Sequence, residues 1–442
     1  MDNVAVTRSF GPIQLAPGVE PKHVWAKLFA TLIGIAMLAG VPLLNGYLLT
    51  EHLHIPRGQQ GTVTGDLSFW VEVVAICLFY PFGILSDRIG RRPVITFGLI
   101  MISIGYFLMP FATTISELLG ARLVFAVGMA STAGILATLS NDYPQEQSRG
   151  KLIALSSMAN IIGASVLMAG LILRIPSVLI ERGFDPVTSG KVMLLTAATL
   201  CLATALVTRF GLAPGTPVSK RKRAGIQTLI TSGLRSAKNP RIALAYAGAF
   251  AARGDLVVKA AFLSLWAIQD GRAMDMNPGQ AMARFATMMI IMSLVSFISA
   301  PLFGWLIDRI NRVSAAIIAL TFASVGYLSM YLITSPLDFA MVPFFVVISL
   351  GSSFMMKSSL SLLGQEAPAS ERGSVIAMSS MCGAFGIMMF TLIGGRLFDN
   401  VAPWAPFVLA GAYQLVLLIA AIIIRFVAPG RDISHQANPS PR

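Results

Sequence analysis

The sequence predicts an all-α membrane protein of twelve transmembrane helices in two pseudo-symmetric six-helix bundles. Three observations carry this reading: long apolar runs, a shortage of charge, and an internal repeat. The chain has 442 residues, of which 55% are hydrophobic and 12% charged. Soluble domains average about 25% charged residues. So little charge cannot cover a water-facing surface, so much of the surface must face lipid.

Crossing about 30 Å of hydrocarbon takes about 20 helical residues. Apolar runs of that length are read at 25–49, 65–86, 93–111, 116–140, 151–173 and 189–210. Six more follow at 241–268, 284–306, 313–333, 338–361, 373–396 and 404–427. Each must be a helix, because backbone facing lipid has to satisfy its own hydrogen bonds. The expected organisation is a tail at 1–24, a first bundle at 25–210, a basic linker at 211–240, a second bundle at 241–427 and a tail at 428–442.

The formal charge of +13 suggests nucleic acid only in a soluble protein. Here most Lys and Arg fall in short loops on one side of the predicted spans. The run Lys220-Arg221-Lys222-Arg223 lies in the linker. The positive-inside rule then puts both termini in the cytoplasm, and no nucleic-acid partner is expected. The three cysteines, Cys77, Cys201 and Cys382, sit singly in apolar runs and read as small packed side chains. His52 and His54 form a His-x-His in a loop, too little for a metal site. No cofactor or metal is expected. Residues 1–24 contain no apolar segment of the signal-peptide type.

The repeat is written in matching motifs. Gly83-Ile-Leu-Ser-Asp87-Arg88 follows the second span, and Gly304-Trp-Leu-Ile-Asp308-Arg309 follows the eighth. Arg149-Gly150 opens the fifth span and Arg372-Gly373 the eleventh, at nearly the same separation. Ala154, Ser156, Ser157, Met158 and Gly163 then match Ala377, Ser379, Ser380, Met381 and Gly386. Two six-span halves in one orientation form a parallel repeat of the kind some transporters use.

Gly83-x-x-x-Asp87-Arg88-x-Gly90-Arg91-Arg92 resembles the signature loop of the major facilitator superfamily, with a weaker copy at Gly304, Asp308, Arg309 and Arg312. The resemblance covers essentially the whole chain. It implies that these loops latch the bundles in one access state, and that spans one, four, seven and ten line a central cavity. Read from physics alone, the same loop is a tight, positively charged turn. Arg122, Ala126 and Gly128 match the family's Arg-x-x-x-Gly-x-Gly pattern only in part. The fifth span lacks the Gly-Pro motif of drug/proton antiporters.

An ionisable side chain inside a span is costly and marks a functional candidate. The candidates are Glu72, Arg122, Arg253, Asp255, Lys259 and Lys357. Five of them lie on spans four, seven and ten. Asp255 and Lys259 are four apart on one helix face and can pair. Two residues turn a helix by about 200°, so Arg253 projects the opposite way. Asn45, beside Gly40, Pro42 and Gly46 in a loosened first span, is a neutral contact candidate.

Cations outnumber anions among these side chains. The expected function is therefore secondary active transport of a small organic anion by alternating access. Asn45, Arg122, Arg253 and Lys357 would bind it, and Glu72, Asp255 and Lys259 would serve proton coupling. Gly83, Asp87, Arg88, Gly90, Arg91, Arg92, Gly304, Asp308 and Arg309 would gate. The alternative is proton-driven multidrug or lipophilic-compound efflux, with 22 Met and 26 Phe lining an adaptable cavity. An enzyme is not expected, since no span carries the parts of a hydrolytic or metal site. The expected partners are the solute and the lipid bilayer, the expected unit a monomer, and the expected place a bacterial plasma membrane.

Overall fold

Glu20 and His23 start the first span reciprocally: the Glu20 carboxylate caps the first turn, and the Glu20 N–H donates to His23 Nδ1 at 3.0 Å. Pro21 fits the first helical position, where an N–H is unused anyway. The helix continues through Pro42 and closes in a π-helical turn, Leu48–His52. A computed structural model describes this chain over residues 8–215, 226–368 and 371–429. The basic run Lys220–Arg223 and most of the carboxy-terminal tail lie outside the described residues.

Among the described residues, eleven helices are long and apolar enough to cross a membrane. Spans one to six are Pro21–His52, Arg57–Ile89, Arg91–Phe111, Ile115–Asp142, Glu146–Glu181 and Pro186–Gly211. Spans eight to twelve are Pro278–Arg309, Arg312–Leu332, Phe339–Glu366, Arg372–Asn400 and Ala405–Val427. The seventh, Pro240–Ala273, has 34 residues, and Arg253, Asp255 and Lys259 interrupt its apolar character. It completes twelve. The first span begins at Pro21 rather than 25 and the second at Arg57 rather than 65, because polar caps extend each helix beyond its apolar run. The large side chains left exposed on the spans, among them Phe79, Phe210, Ile298 and Phe426, are what a lipid-facing surface requires.

Other elements also depart from the sequence reading. The segment before the first span is not a bare tail. Ser9–Phe10 (β1) and Ile13–Gln14 (β2) form an antiparallel hairpin. The hairpin docks on the loop between spans four and five. Gln145 N–H donates to Gln14 O at 2.9 Å, and Ala16 N–H to Tyr143 O at 2.8 Å. The linker contains a helix, Ile226–Ser236, whose Ser236 hydroxyl donates to Glu371 at 3.1 Å.

The chain divides into two units. The first is Met1–Ile55, Trp70–Lys222 and Gly271–Ile290; the second is Pro56–Phe69, Arg223–Asp270 and Ile291–Arg442. In the first, Arg272 grips the end of span one through Glu51 at 2.9 Å and Thr50 O at 3.2 Å. In the second, the start of span two packs on span eleven. Asp399 accepts from Gly61 N–H at 2.8 Å and Thr62 N–H at 2.6 Å, and Asp66 pairs with Arg396 at 3.1 Å.

The same internal contacts recur in both units. Tyr106 of span three donates to Met37 O of span one, at 2.6 Å. Tyr327 of span nine donates to Asp255 O of span seven, at 3.1 Å. A methyl on Gly163 of span five would sit 2.2 Å from Leu32 O, and one on Gly386 of span eleven 2.0 Å from Phe250 O. Residues paired by the sequence repeat therefore make equivalent contacts.

Gly90, at φ +99°, makes the whole turn between spans two and three, a backbone region that glycine enters without steric cost. Arg91 then reaches Asp87, Ser86 at 2.7 Å and Asp142 of span four at 3.2 Å. Arg92 donates to Leu212 O at 3.4 Å, while Arg88 is exposed. In the second copy Arg312 pairs with Asp308 at 3.3 Å, and Arg309 lies 4.0 Å above the Trp305 ring. Gly304 has no close neighbour. Each signature loop thus knits together helices of its own unit.

Candidate functional site

In the first unit, span four carries Arg122 into the interior, where 2% of it is exposed. Its Nη2 donates to Asn45 Oδ1 of span one. Tyr106 and Phe125 meet edge to face with centroids 5.7 Å apart, one turn from Arg122. No acid pairs with Arg122 among the described residues. Arg122 Nε and Asn45 Nδ2 are buried donors without an acceptor. Sequence reasoning named both residues, and the structure brings them together.

The second unit buries the opposite charge. Asp255 of span seven is fully buried. Gln414 Nε2 of span twelve donates to its Oδ2, while Oδ1 and Gln414 Oε1 have no partner. Tyr327 bonds the Asp255 carbonyl and also meets Ser352 Oγ of span ten at 3.1 Å. The Asp255–Lys259 ion pair that the spacing permits is open: the carboxylate is taken by Gln414, and Lys259 stands half-buried one turn on.

The other candidates are spread out. Arg253 points away from Asp255, as its spacing predicts. Its stem lies on Gly383 of span eleven and its Nη1 donates to Ser380 O at 3.4 Å. Lys357 folds back on its own helix, to Ser353 Oγ at 2.6 Å and Ser353 O at 3.2 Å. Glu72 is half-buried in span two.

Three features escaped sequence reading. Lys27 of span one is fully buried and donates to Ser156 of span five, which lies 3.4 Å from Ser140 of span four. Its signal was a lysine inside an apolar run. Gln414 was detectable as the lone amide of the last span. The tyrosines Tyr106 and Tyr327 stand at the spacing of the signature-loop repeat. Among the described residues no three His, Cys, Asp or Glu side chains cluster as metal ligands would.

Comparison with known proteins gives a consistent picture. The family model described as Major Facilitator Superfamily matches residues 28–390 and 278–439. The magnetosome protein MamH of Paramagnetospirillum magneticum is 27% identical over 384 residues, covering 85% of this chain and 86% of MamH. The magnetosome protein MamZ of the same organism is 25% identical over 90% of this chain, which spans 62% of MamZ. A crystal structure of the nucleoside transporter NupG superposes with a TM-score of 0.69 at 15% identity, covering 91% of this chain and 98% of that one. That likeness is one of fold.

Proposed function

The chain belongs to the Major Facilitator Superfamily, and from that premise we propose that it is a proton-coupled secondary transporter of a small organic anion. The observation that carries this reading is Arg122: a buried guanidinium with no acid beside it among the described residues, and with unfilled donors on itself and Asn45. A desolvated cation left unpaired is expensive. A carboxylate offers two acceptor oxygens, which suit a guanidinium edge, and Asn45 Nδ2 adds a further donor. Arg253 and Lys357 supply positive charge on spans seven and ten. Asp255 or Glu72 takes the proton, and Lys259, one turn from Asp255 on span seven, is the further proton-coupling candidate. The signature loops, holding Gly83, Asp87, Arg88, Gly90, Arg91, Arg92, Gly304, Asp308 and Arg309, set which side is open. In this reading both termini face the cytoplasm, as the positive-inside bias favours, and the membrane is a bacterial plasma membrane.

The test is counterflow of radiolabelled benzoate, lactate and succinate into proteoliposomes. Arg122→Ala should remove whichever of these the wild type carries, because truncating one partner of a buried charge-assisted contact costs about 2–5 kcal/mol. Wild-type rates in a folded Arg122→Ala protein would refute the reading. Transport confined to organic cations would favour lipophilic-compound efflux instead.

A further inference from the structure

The contact between spans seven and twelve contains a mismatch. Gln414 Nε2 donates to Asp255 Oδ2. The two remaining oxygens of the pair, Asp255 Oδ1 and Gln414 Oε1, are both buried and both lack a donor. An ionised carboxylate only accepts hydrogen bonds, whereas a protonated one gains an O–H donor. A single proton therefore repairs the mismatch. Bound to Asp255 Oδ1, it forms an O–H that donates to Gln414 Oε1, and the acid and amide close a ring of two hydrogen bonds.

We propose that Asp255 and Gln414 form a proton-dependent acid–amide pair, in which Gln414 positions the coupling proton and ties span twelve to span seven while it is bound. The proposal rests on the proton-coupled reading given above. The step balances simply. The proton arrives from water and makes one O–H bond. On leaving it restores a carboxylate that holds one donor. The bare carboxylate then has reason to leave Gln414 for the amine of Lys259, which lies one turn along span seven on the same helix face. Proton binding and release thereby switch Asp255 between a neutral partner on span twelve and a cationic one on its own helix.

The surroundings permit this exchange. Span nine presents Tyr327, whose hydroxyl is held by the Asp255 carbonyl and Ser352. Span twelve presents Tyr413, which donates to Ala247 O at 3.4 Å and lies near Cys382 of span eleven. Span ten brings Lys357, tied to Ser353. On span seven itself, Arg253 points toward the main chain of span eleven. Among these groups, Lys259 is the cation placed to compete for the carboxylate.

Gln414 is a positioning residue, so its test needs a readout that loss of packing alone would not move. Infrared difference spectra of the full-length protein in nanodiscs, recorded between two pH values, report protonated carboxyl groups directly. The wild type should show a carbonyl band of a hydrogen-bonded carboxylic acid that Asp255→Asn abolishes. In Gln414→Leu the band should shift to higher wavenumber, as the acid loses its amide partner. Gln414→Asn, which keeps an amide, should bring the band part of the way back to its wild-type position. A band unmoved by Gln414→Leu, or absent from the wild type, overturns the proposal. If the bands behave as expected but a pH gradient fails to drive wild-type accumulation of any tested anion, the pair stands and the coupling reading falls.

Discussion

Arg122 in the first unit and Asp255 in the second are buried charges of opposite sign, and each is met by a side-chain amide. Asn45 accepts from the guanidinium; Gln414 donates to the carboxylate. The scaffolding around them is shared. Tyr106 and Tyr327 make the same bond from the third helix to the first helix of each unit. Gly163 and Gly386 let the fifth and first helices of each unit touch backbone to backbone. The lesson is that the repeat conserves packing while chemistry diverges. One half keeps unfilled donors, suited to an anion, and the other keeps unfilled acceptors, suited to a proton.

The comparison breaks if the shared scaffold is not what holds each half together. Gly163→Ala and Gly386→Ala both drive a methyl into a carbonyl oxygen. Overpacking of this kind costs about 1–3 kcal/mol. Thermal melting in detergent should show comparable losses for the two variants. An undiminished melting temperature in either would mean that the contact is not equivalent.

The smallest effect belongs to the hairpin, a feature of the first unit. Lys22 and Arg8 hold the Glu20 carboxyl down to about 2, against an ordinary 4.5. A depressed carboxyl contributes stability above its unfolded value, and that contribution is lost as pH falls toward the folded one. Hairpin docking should therefore weaken between roughly pH 4.5 and 2. Emission of Trp25, whose ring meets Phe10 at 5.2 Å, should report it in a variant retaining only that tryptophan. Glu20→Gln should flatten the transition. An unchanged transition in Glu20→Gln would remove this carboxyl from the docking.

Much of the architecture was legible in the sequence because lipid imposes long apolar runs, and because the repeat preserved Gly83 to Arg88 alongside Gly304 to Arg309. Two of the buried charges stood out as well, since Arg122 and Asp255 interrupt those runs. What stayed hidden was neutral or local. Gln414 is uncharged, so nothing in a strongly apolar helix marks it as the partner of an acid on another span. Tyr106 and Tyr327 read as ordinary aromatic residues. Lys27 lies near a helix end, where a lysine usually reaches the interface; here Ser156 holds it inside. The two-residue strands at Ser9–Gln14 are too short to leave a periodic pattern. The Asp255–Lys259 spacing allowed an ion pair, but spacing on one helix says nothing of a competing donor on another.

Isothermal calorimetry of carboxylate binding to the purified protein, repeated in buffers of different ionisation enthalpy, counts anions bound and protons taken up together. The account predicts that the wild type binds one of benzoate, lactate or succinate with net proton uptake. It predicts that Arg122→Gln removes the binding, and that Asp255→Asn removes the proton uptake. Undiminished anion binding by a folded Arg122→Gln protein, or proton uptake persisting in Asp255→Asn, would contradict the division of anion and proton between the two halves.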